Sequence, residues 1–145
     1  METPADRLVQ RLLDDIKSAS REVYFGTDGV FTCFSDGRFL ERADSLSPAI
    51  EQLRYPFPNT LPTDTIKKMI PQDAGKSGEI PGSIEEDGKK YRLLCKKYTC
   101  VVDRLCYDYL KSRYPEARVY CLGRNKPVVF LHGDIVRAVL MPIKT

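Results

Sequence analysis

The sequence feature that most constrains the fold is the C-terminal segment KPVVFLHGDIVRAVLMPIKT, residues 126–145. Two runs rich in β-branched and aliphatic residues, Pro127–Leu131 and Ile135–Met141, flank the triplet His132-Gly133-Asp134. Such a triplet is typical of a tight turn, because glycine adopts positive φ without steric cost. The segment therefore predicts an antiparallel β-hairpin at this end of the sequence.

Side chains along the second strand of this hairpin alternate between two faces. One face is wholly apolar, and we expect it to point into the core: Val136, Ala138 and Leu140. The other face carries Ile135, Arg137, Val139 and Met141. The outward pair Val139 and Met141, beside Pro142, is either ordinary surface or the floor of a shallow apolar groove that receives another protein.

The composition indicates one soluble domain. With 145 residues, of which 42% are hydrophobic and 30% charged, the chain can bury a core of its own without disulfides or metal. A net charge of +3 does not by itself indicate nucleic-acid binding, which would need basic residues gathered on one face. No apolar run approaches the roughly 20 residues of a membrane span, so we expect a cytoplasmic protein with no membrane partner.

The cysteines favour reduced thiols over a disulfide framework, because their number is odd and no signal-peptide pattern precedes them. They are Cys33, Cys95, Cys100, Cys106 and Cys121. Their spacing also lacks the close pairs that zinc sites usually have. We therefore expect neither a metal site nor a cofactor.

The first part of the chain, residues 1–44, predicts a helix followed by three strands. Thr3 can cap the helix and Pro4 suits its first position, and apolar residues recur at helical spacing to about residue 20. They are Leu8, Val9, Leu12, Leu13 and Ile16. Three strand-like runs follow, at residues 22–25, 30–34 and 38–42, and the Asp-Gly pairs between them favour hairpin turns.

Residues 45–88 predict a proline-rich connector. Short helices are expected over residues 48–54 and 63–70, each ended by proline. The polar stretch from Gln72 to Gly88 is typical of a long surface loop or a loosely held hairpin.

Residues 89–145 repeat the order of the first part. Strand-like residues 89–102 precede a helix that Asp103 can cap, and a strand over residues 118–122 precedes the terminal hairpin. The sequence therefore predicts a single α+β domain, residues 1–145, made of two pseudo-repeated halves. Each half places a helix against an antiparallel meander.

From Val101 onward the sequence resembles the end of a bacterial DNA sliding clamp, the β subunit of the replicative polymerase. The shared features are a helix opened by Asp103, the proline-led strand Lys126–Phe130 and the tail Met141–Thr145. The segments Arg54–Pro58 and Met69–Pro71 are similar to the stretch that enters the last domain of the clamp.

The resemblance implies a non-enzymatic, clamp-like domain linked to DNA replication or repair. In that family the helices contact the phosphates of double-stranded DNA through basic side chains. A groove beside the C-terminal strand binds short hydrophobic peptides of polymerases and loaders. By resemblance, the peptide groove would comprise Val139, Met141 and Pro142, and the DNA contacts would comprise Arg7, Arg11, Arg104 and Lys111.

Size separates this chain from a clamp subunit, which carries three such domains and closes a ring from two subunits. A ring of single domains would need about six copies joined head to tail through sheet edges, so a homo-oligomer is one expectation. A solitary domain that keeps only the peptide groove is the other.

The same residues are also compatible with simpler roles. The basic helix residues can form a solvated face with local pairs such as Arg104 and Asp108, and the lysines of residues 89–97 can serve solubility and edge protection. A protein-interaction module that shares only the fold is the alternative function. A small hydrolase using Cys121 or another thiol with His132 is a third, although the polarity of the turn already accounts for the histidine.

Overall fold

The computed structural model describes residues 2–145, which form five helices and nine strands. The helices are α1 (Pro4–Lys17), α2 (Pro48–Glu51), α3 (Thr63–Met69), α4 (Ala74–Ser77) and α5 (Arg104–Arg113). The strands are β1 (Tyr24–Thr27), β2 (Thr32–Ser35), β3 (Phe39–Ala43), β4 (Ser83–Asp87), β5 (Lys90–Leu94), β6 (Thr99–Asp103), β7 (Arg118–Cys121), β8 (Val128–His132) and β9 (Ile135–Leu140). The predicted α+β class is confirmed. No helix within residues 2–145 has the length and apolar character needed to cross a bilayer.

The strands form two sheets. The large sheet has the order β1-β2-β3-β9-β8-β7, and the small sheet has the order β4-β5-β6. Every pairing between these strands is antiparallel. The strands β3 and β9 pair in the middle of the large sheet, with Leu40 opposite Val139. This single pairing joins the N-terminal meander to the C-terminal one.

The helices α1 and α5 pack against each other over one face of the large sheet. Leu8 and Leu12 of α1 are fully buried, and α5 buries Tyr109 and Leu110 on the same core. The small sheet adds Leu93, Cys100 and Val102 to this core. We call this side of the large sheet the helix face.

The opposite side of the large sheet is covered by α3 and α4 of the connector, and we call it the connector face. Ile66 of α3 and Ala74 of α4 pack there on buried residues of four strands. Those strand residues are Cys33, Leu40, Val129, Val136 and Val139. The large sheet is therefore buried on both faces.

Local sequence signals set the starts of the long helices as predicted. Thr3 and Asp6 form a reciprocal capping box at the start of α1, and Pro4 occupies its first turn. The helix ends three residues earlier than predicted, and Ala19 adopts the left-handed region with φ of 58°. Asp103 caps α5 by accepting from the N–H of Cys106 at 2.8 Å.

The polar stretch from Gln72 to Gly88 contains more regular structure than an irregular loop. Residues 83–87 form β4, which pairs with β5 across the turn at Gly88. The glycine has φ of 63°, as a two-residue hairpin turn requires. Pairing with the stronger strand β5 explains how a stretch of three carboxylates and one isoleucine becomes a strand.

The terminal hairpin is present, but a bulge changes which side chains share a face. The register of β8 and β9 shifts between Phe130 and Leu131, so Val136 pairs with Leu131 while Ala138 pairs with Phe130. One residue of β9 is thereby skipped, and Val136 joins Val139 on the connector face. The prediction that Val136 faces the same way as Ala138 is therefore wrong, because alternation assumes an unbroken ladder.

A carboxylate lies in the core of the helix face. Glu41 of β3 has no exposed surface, and its oxygens accept from the hydroxyls of Tyr109 and Tyr114, each at 2.6 Å. The Nε of Arg113 lies 3.3 Å from the same carboxylate. Burial, followed by the adjacent carboxylate, raises the pKa of both tyrosines, so both hydroxyls stay protonated and donate.

Candidate nucleic-acid interface

An open cleft of about 600 Å³ lies where α1, the first turn of α5 and the β4–β5 turn meet. Its walls are formed by Arg7, Arg11, Gly88, Lys89, Arg104, Leu105 and Asp108. Four of these seven residues are basic and one is acidic. The excess of positive charge suits an anionic ligand.

The cations of the cleft come from three local elements, which are α1, the turn between β4 and β5, and the start of α5. Arg7 is exposed on α1 beside the buried Leu8, so the amphipathic pattern turns its side chain away from the core. Lys89 is exposed because the hairpin turn between β4 and β5 projects it. The backbone carbonyl of Lys89 accepts from the N–H of Arg104 at 2.9 Å, which ties this turn to the start of α5.

Arg104 is partly engaged within the cleft. Its guanidinium lies 3.3 Å from the carboxylate of Glu86, donates to the carbonyl of Gly88 at 3.3 Å, and stands 5.3 Å from the ring centre of Tyr91. The hydroxyl of Tyr91 in turn donates to Asp108 at 2.7 Å. The expected pairing of Arg104 with Asp108 is replaced by this longer chain of contacts. The pair with Glu86 is solvent-exposed and therefore weak.

Arg11 lies in the cleft wall but is not a free cation. Its two terminal nitrogens donate to the two carboxylate oxygens of Asp103, each at 2.8 Å. Burial raises the pKa of Asp103, but the hydrogen bonds from Arg11 and from the N–H of Cys106 outweigh it and hold that pKa below its usual value. This geometry makes Arg11 a clamp between α1 and the cap of α5 rather than a phosphate ligand.

Lys111, the fourth residue predicted to contact DNA, does not line the cleft. Its ammonium group donates to the backbone carbonyl of Ala117 at 3.0 Å and so stabilises the chain after the end of α5. The structure therefore brings Arg7, Arg11 and Arg104 together and leaves Lys111 apart. Lys89 also lines the cleft, although the sequence associates it with solubility. The predicted DNA contacts do not include it, because all of them lie on helices.

The predicted peptide groove is placed differently from the expectation. Val139 is only 1% exposed, because the connector covers it, so its predicted position on an open outer face is wrong. Met141 is 40% exposed, and Pro142 is half-buried. The backbone N–H of Met141 donates to the carbonyl of Arg38 at 2.8 Å, which extends the pairing of β9 with β3.

The thiol and the imidazole of the hydrolase alternative are not brought together. Cys121 is fully buried and pairs with Val128, four residues along β8 from His132, a separation of about 13 Å at strand spacing. The neighbouring thiol of Cys100 and burial raise the pKa of Cys121. His132 is exposed and lies 3.8 Å from the carboxylate of Glu116. This arrangement offers no activated nucleophile.

Within residues 2–145, no group of three or more histidine, cysteine, aspartate or glutamate side chains is arranged to hold a metal ion. Comparison of the chain with protein-family models, with curated proteins and with solved structures found no match to any of them. Functional inference therefore depends on the geometry of the cleft and of the sheets.

Proposed function

We propose that this protein is a non-enzymatic, clamp-like α+β domain that binds double-stranded DNA without sequence preference, in replication or repair. The observation that carries the proposal is the meeting of Arg7, Lys89 and Arg104 in one open cleft, although residues 7 and 104 are far apart in sequence. Cations on a rigid surface attract the phosphate backbone and release its counterions, whatever the base sequence.

The arrangement of helices and strands supports the clamp-like part of the proposal. Two adjacent helices cover one face of a continuous sheet, and each is followed along the chain by a three-stranded meander. In this proposal, residues 1–44 and 89–145 are two pseudo-repeated halves of a single domain, and residues 45–88 connect them. The helix pair then presents its outer surface to the DNA duplex.

A salt titration tests the DNA proposal. A fluorescein-labelled duplex is titrated with the protein at several salt concentrations, and the anisotropy gives the dissociation constant. We expect the logarithm of the affinity to fall linearly with the logarithm of the salt concentration, with a slope of about −0.9 for each phosphate contacted. The double variant Arg7→Glu with Lys89→Glu should weaken binding and reduce the slope by about 2, since two contacts are lost.

The matched control is the double variant Lys67→Glu with Lys68→Glu. It makes the same change of net charge on α3, whose one buried residue, Ile66, packs on the connector face. The control should lose much less affinity than the cleft variant. Equal losses would mean that net charge rather than the cleft drives binding, and an affinity that does not respond to salt would overturn the proposal.

A second candidate function is peptide binding beside the end of β9. The exposed Met141 favours it, because a large apolar side chain next to Pro142 can serve as a contact for a hydrophobic segment of a polymerase or loader. Val139 drops out of this proposed site because it is buried. A protein-interaction module that shares only the clamp-like fold would keep this contact and lack DNA affinity.

A further inference from the structure

The sheets formed by residues 2–145 have four edges, and at three of them one residue of the edge strand makes backbone hydrogen bonds to another segment. The edge of β1 is covered where Phe25 exchanges backbone hydrogen bonds with Asn59 and Leu61, and the edge of β7 where Cys121 exchanges two with Glu79. The edge of β6 is covered by the C-terminal tail, because the N–H of Ile143 donates to the carbonyl of Val101 at 2.8 Å. Only the edge of β4 lacks such a partner among residues 2–145.

The register of β4 with β5 shows which backbone groups of β4 make no hydrogen bond to β5. Cys95 donates its N–H to Tyr98, so alternation directs the odd-numbered residues of β5 toward β6 and the even-numbered residues toward β4. The partners of the even-numbered residues are Ser83, Glu85 and Asp87. The N–H and C=O groups of Ile84 and Glu86 therefore point away from β5 and are available to a further strand.

The side chains of β4 select what kind of strand can add there. All five residues of β4 are exposed, and three of them, Glu85, Glu86 and Asp87, are acidic. On its paired side, β4 already faces basic residues, since Arg92 stands opposite Glu85 and Lys90 opposite Asp87. A basic strand on the open side would repeat this complementarity, because cross-strand pairs of opposite charge are favourable.

A second copy of this chain is a poor occupant of the edge. Pairing β4 with β4 would bring two sets of three carboxylates together, which is destabilising. A head-to-tail ring would need a second wholly open edge, and each of the other three is partly occupied by another segment of the chain. Charge and topology thus both favour a different partner.

We propose that the open edge of β4 binds an extended, basic segment of a partner protein, which adds to the small sheet as a fourth strand. Main-chain hydrogen bonds to Ile84 and Glu86 would hold the segment, and lysine or arginine side chains would face Glu85 and Asp87. The exposed Ile84, 44% accessible, would contact an apolar residue of the same segment. This site adjoins the proposed DNA cleft, since Glu86 contacts Arg104 there, but it involves the opposite charge.

The test uses the 145-residue chain and a fluorescein-labelled peptide of alternating lysine and valine. We expect saturable binding by anisotropy, with slowed amide hydrogen exchange at Ile84 and Glu86. The variant Ile84→Pro should weaken binding about tenfold, since it removes an outward N–H that makes no bond to β5. The matched variant Ile84→Ala keeps that N–H and should lose less.

The charge requirement is tested by a peptide of alternating glutamate and valine, which should not bind, and by the variant Glu85→Lys with Asp87→Lys, which should reverse this preference. If Ile84→Pro disturbs the hairpin, the wild-type protein is tested with two further lysine–valine peptides. In each of them, the backbone N–H groups along one of the two edges of the extended peptide are N-methylated. Only one of the two should bind. Equal binding of both, equal binding of the acidic peptide, or no binding would overturn the proposal.

Two further measurements distinguish peptide binding at β4 from DNA binding and from self-association. Ile84→Pro should leave the affinity for duplex DNA unchanged, so failure of peptide binding and failure of DNA binding are distinguishable. Light scattering should give the same mass for wild type and Ile84→Pro. A self-associated wild type that Ile84→Pro converts to a monomer would assign the edge to a second copy of the chain and overturn the choice of partner.

Discussion

The two faces of the large sheet are covered in different ways. On the helix face, α1 and α5 bury six residues between them, whereas α3 and α4 bury one residue each on the connector face. The helix face also contains charged links, from Glu41 to α5 and from Arg11 to Asp103. On the connector face, α3 is fixed by Ile66 and by the hydroxyl of Thr63, which donates to the carbonyl of Thr27 at 2.8 Å.

This difference indicates which face of the large sheet is held rigidly and which face opens more easily. A helix pair fixed by a wide apolar surface and oriented by buried polar links gives a rigid support for the basic cleft, as a binding surface requires. The connector seals Val139 and its neighbours with few contacts, so we expect it to open locally before the helix pair does.

The largest effect should come from the buried carboxylate. Glu41→Ala leaves the guanidinium of Arg113 without its carboxylate and two tyrosine hydroxyls without their acceptor, so we expect a loss of about 3 to 5 kcal/mol in the free energy of unfolding. Urea denaturation measures this loss. The control Glu51→Ala removes an exposed carboxylate paired with Arg54 and should cost about 0.5 kcal/mol or less. Equal losses would mean that the buried Glu41 contributes no more to stability than an exposed ion pair.

The connector face should lose less from truncation of its main contact. Ile66→Ala creates a cavity over Leu40 and Val139, and we expect a loss of about 2 to 3 kcal/mol, the lower part of the range for such substitutions, because a seven-residue helix can partly collapse onto the gap. Native-state hydrogen exchange should show faster opening in α3 while the amides of α1 keep their protection. Equal acceleration in both helices would show that the two faces open as one unit.

The charged link between the helices should be pH-dependent. The pKa of Asp103 is lowered in the folded protein, so its contribution is present above the ordinary aspartate range and is lost as the pH falls through the folded value. Asp103→Asn keeps an N-cap side chain and removes the charge, so we expect a loss of about 1.5 to 2 kcal/mol at neutral pH. The difference between wild type and variant should shrink below about pH 4. A difference that does not change with pH would assign the loss to packing.

The smallest effect on stability should come from Met141→Asp. The side chain is exposed, so we expect a change within about 0.5 kcal/mol in the free energy of unfolding. A hydrophobic polymerase-type peptide that binds the wild type should no longer bind this variant, because a charge replaces the apolar contact. Val139→Asp is not a usable substitute, since it would place a charge in the sealed connector face. Unchanged peptide binding by Met141→Asp would place the peptide site elsewhere.

Much of the fold follows from local signals. The cap at Thr3, the cap at Asp103 and the turns with glycine lie within a few residues of the elements that they limit, and each is found where the sequence predicts it. The burial of Val139 does not follow from such signals. Alternation orders the side chains of a strand into two faces, but it does not say which faces will be covered.

The candidate cleft shows the same division. Arg7 and Arg11 lie four residues apart on α1, and nothing in their neighbourhood separates a free cation from a paired one. Asp103, which engages Arg11, is 92 residues away in sequence. The sequence associates Lys89 with solubility and edge protection because it belongs to a cluster of lysines in residues 89–97. Only the pairing of β4 with β5 shows that the turn places it at the cleft.

The sequence by itself therefore determined the α+β class, the caps and turns, and the amphipathic helix α1. The tertiary structure alone decided which cleft cations are paired, that Val136 and Val139 share a buried face, and that one sheet edge within residues 2–145 remains open. The physical reason is range: capping, turn geometry and side-chain periodicity act over a few residues, whereas ion pairs, strand pairing and burial depend on segments that meet only after the chain has folded.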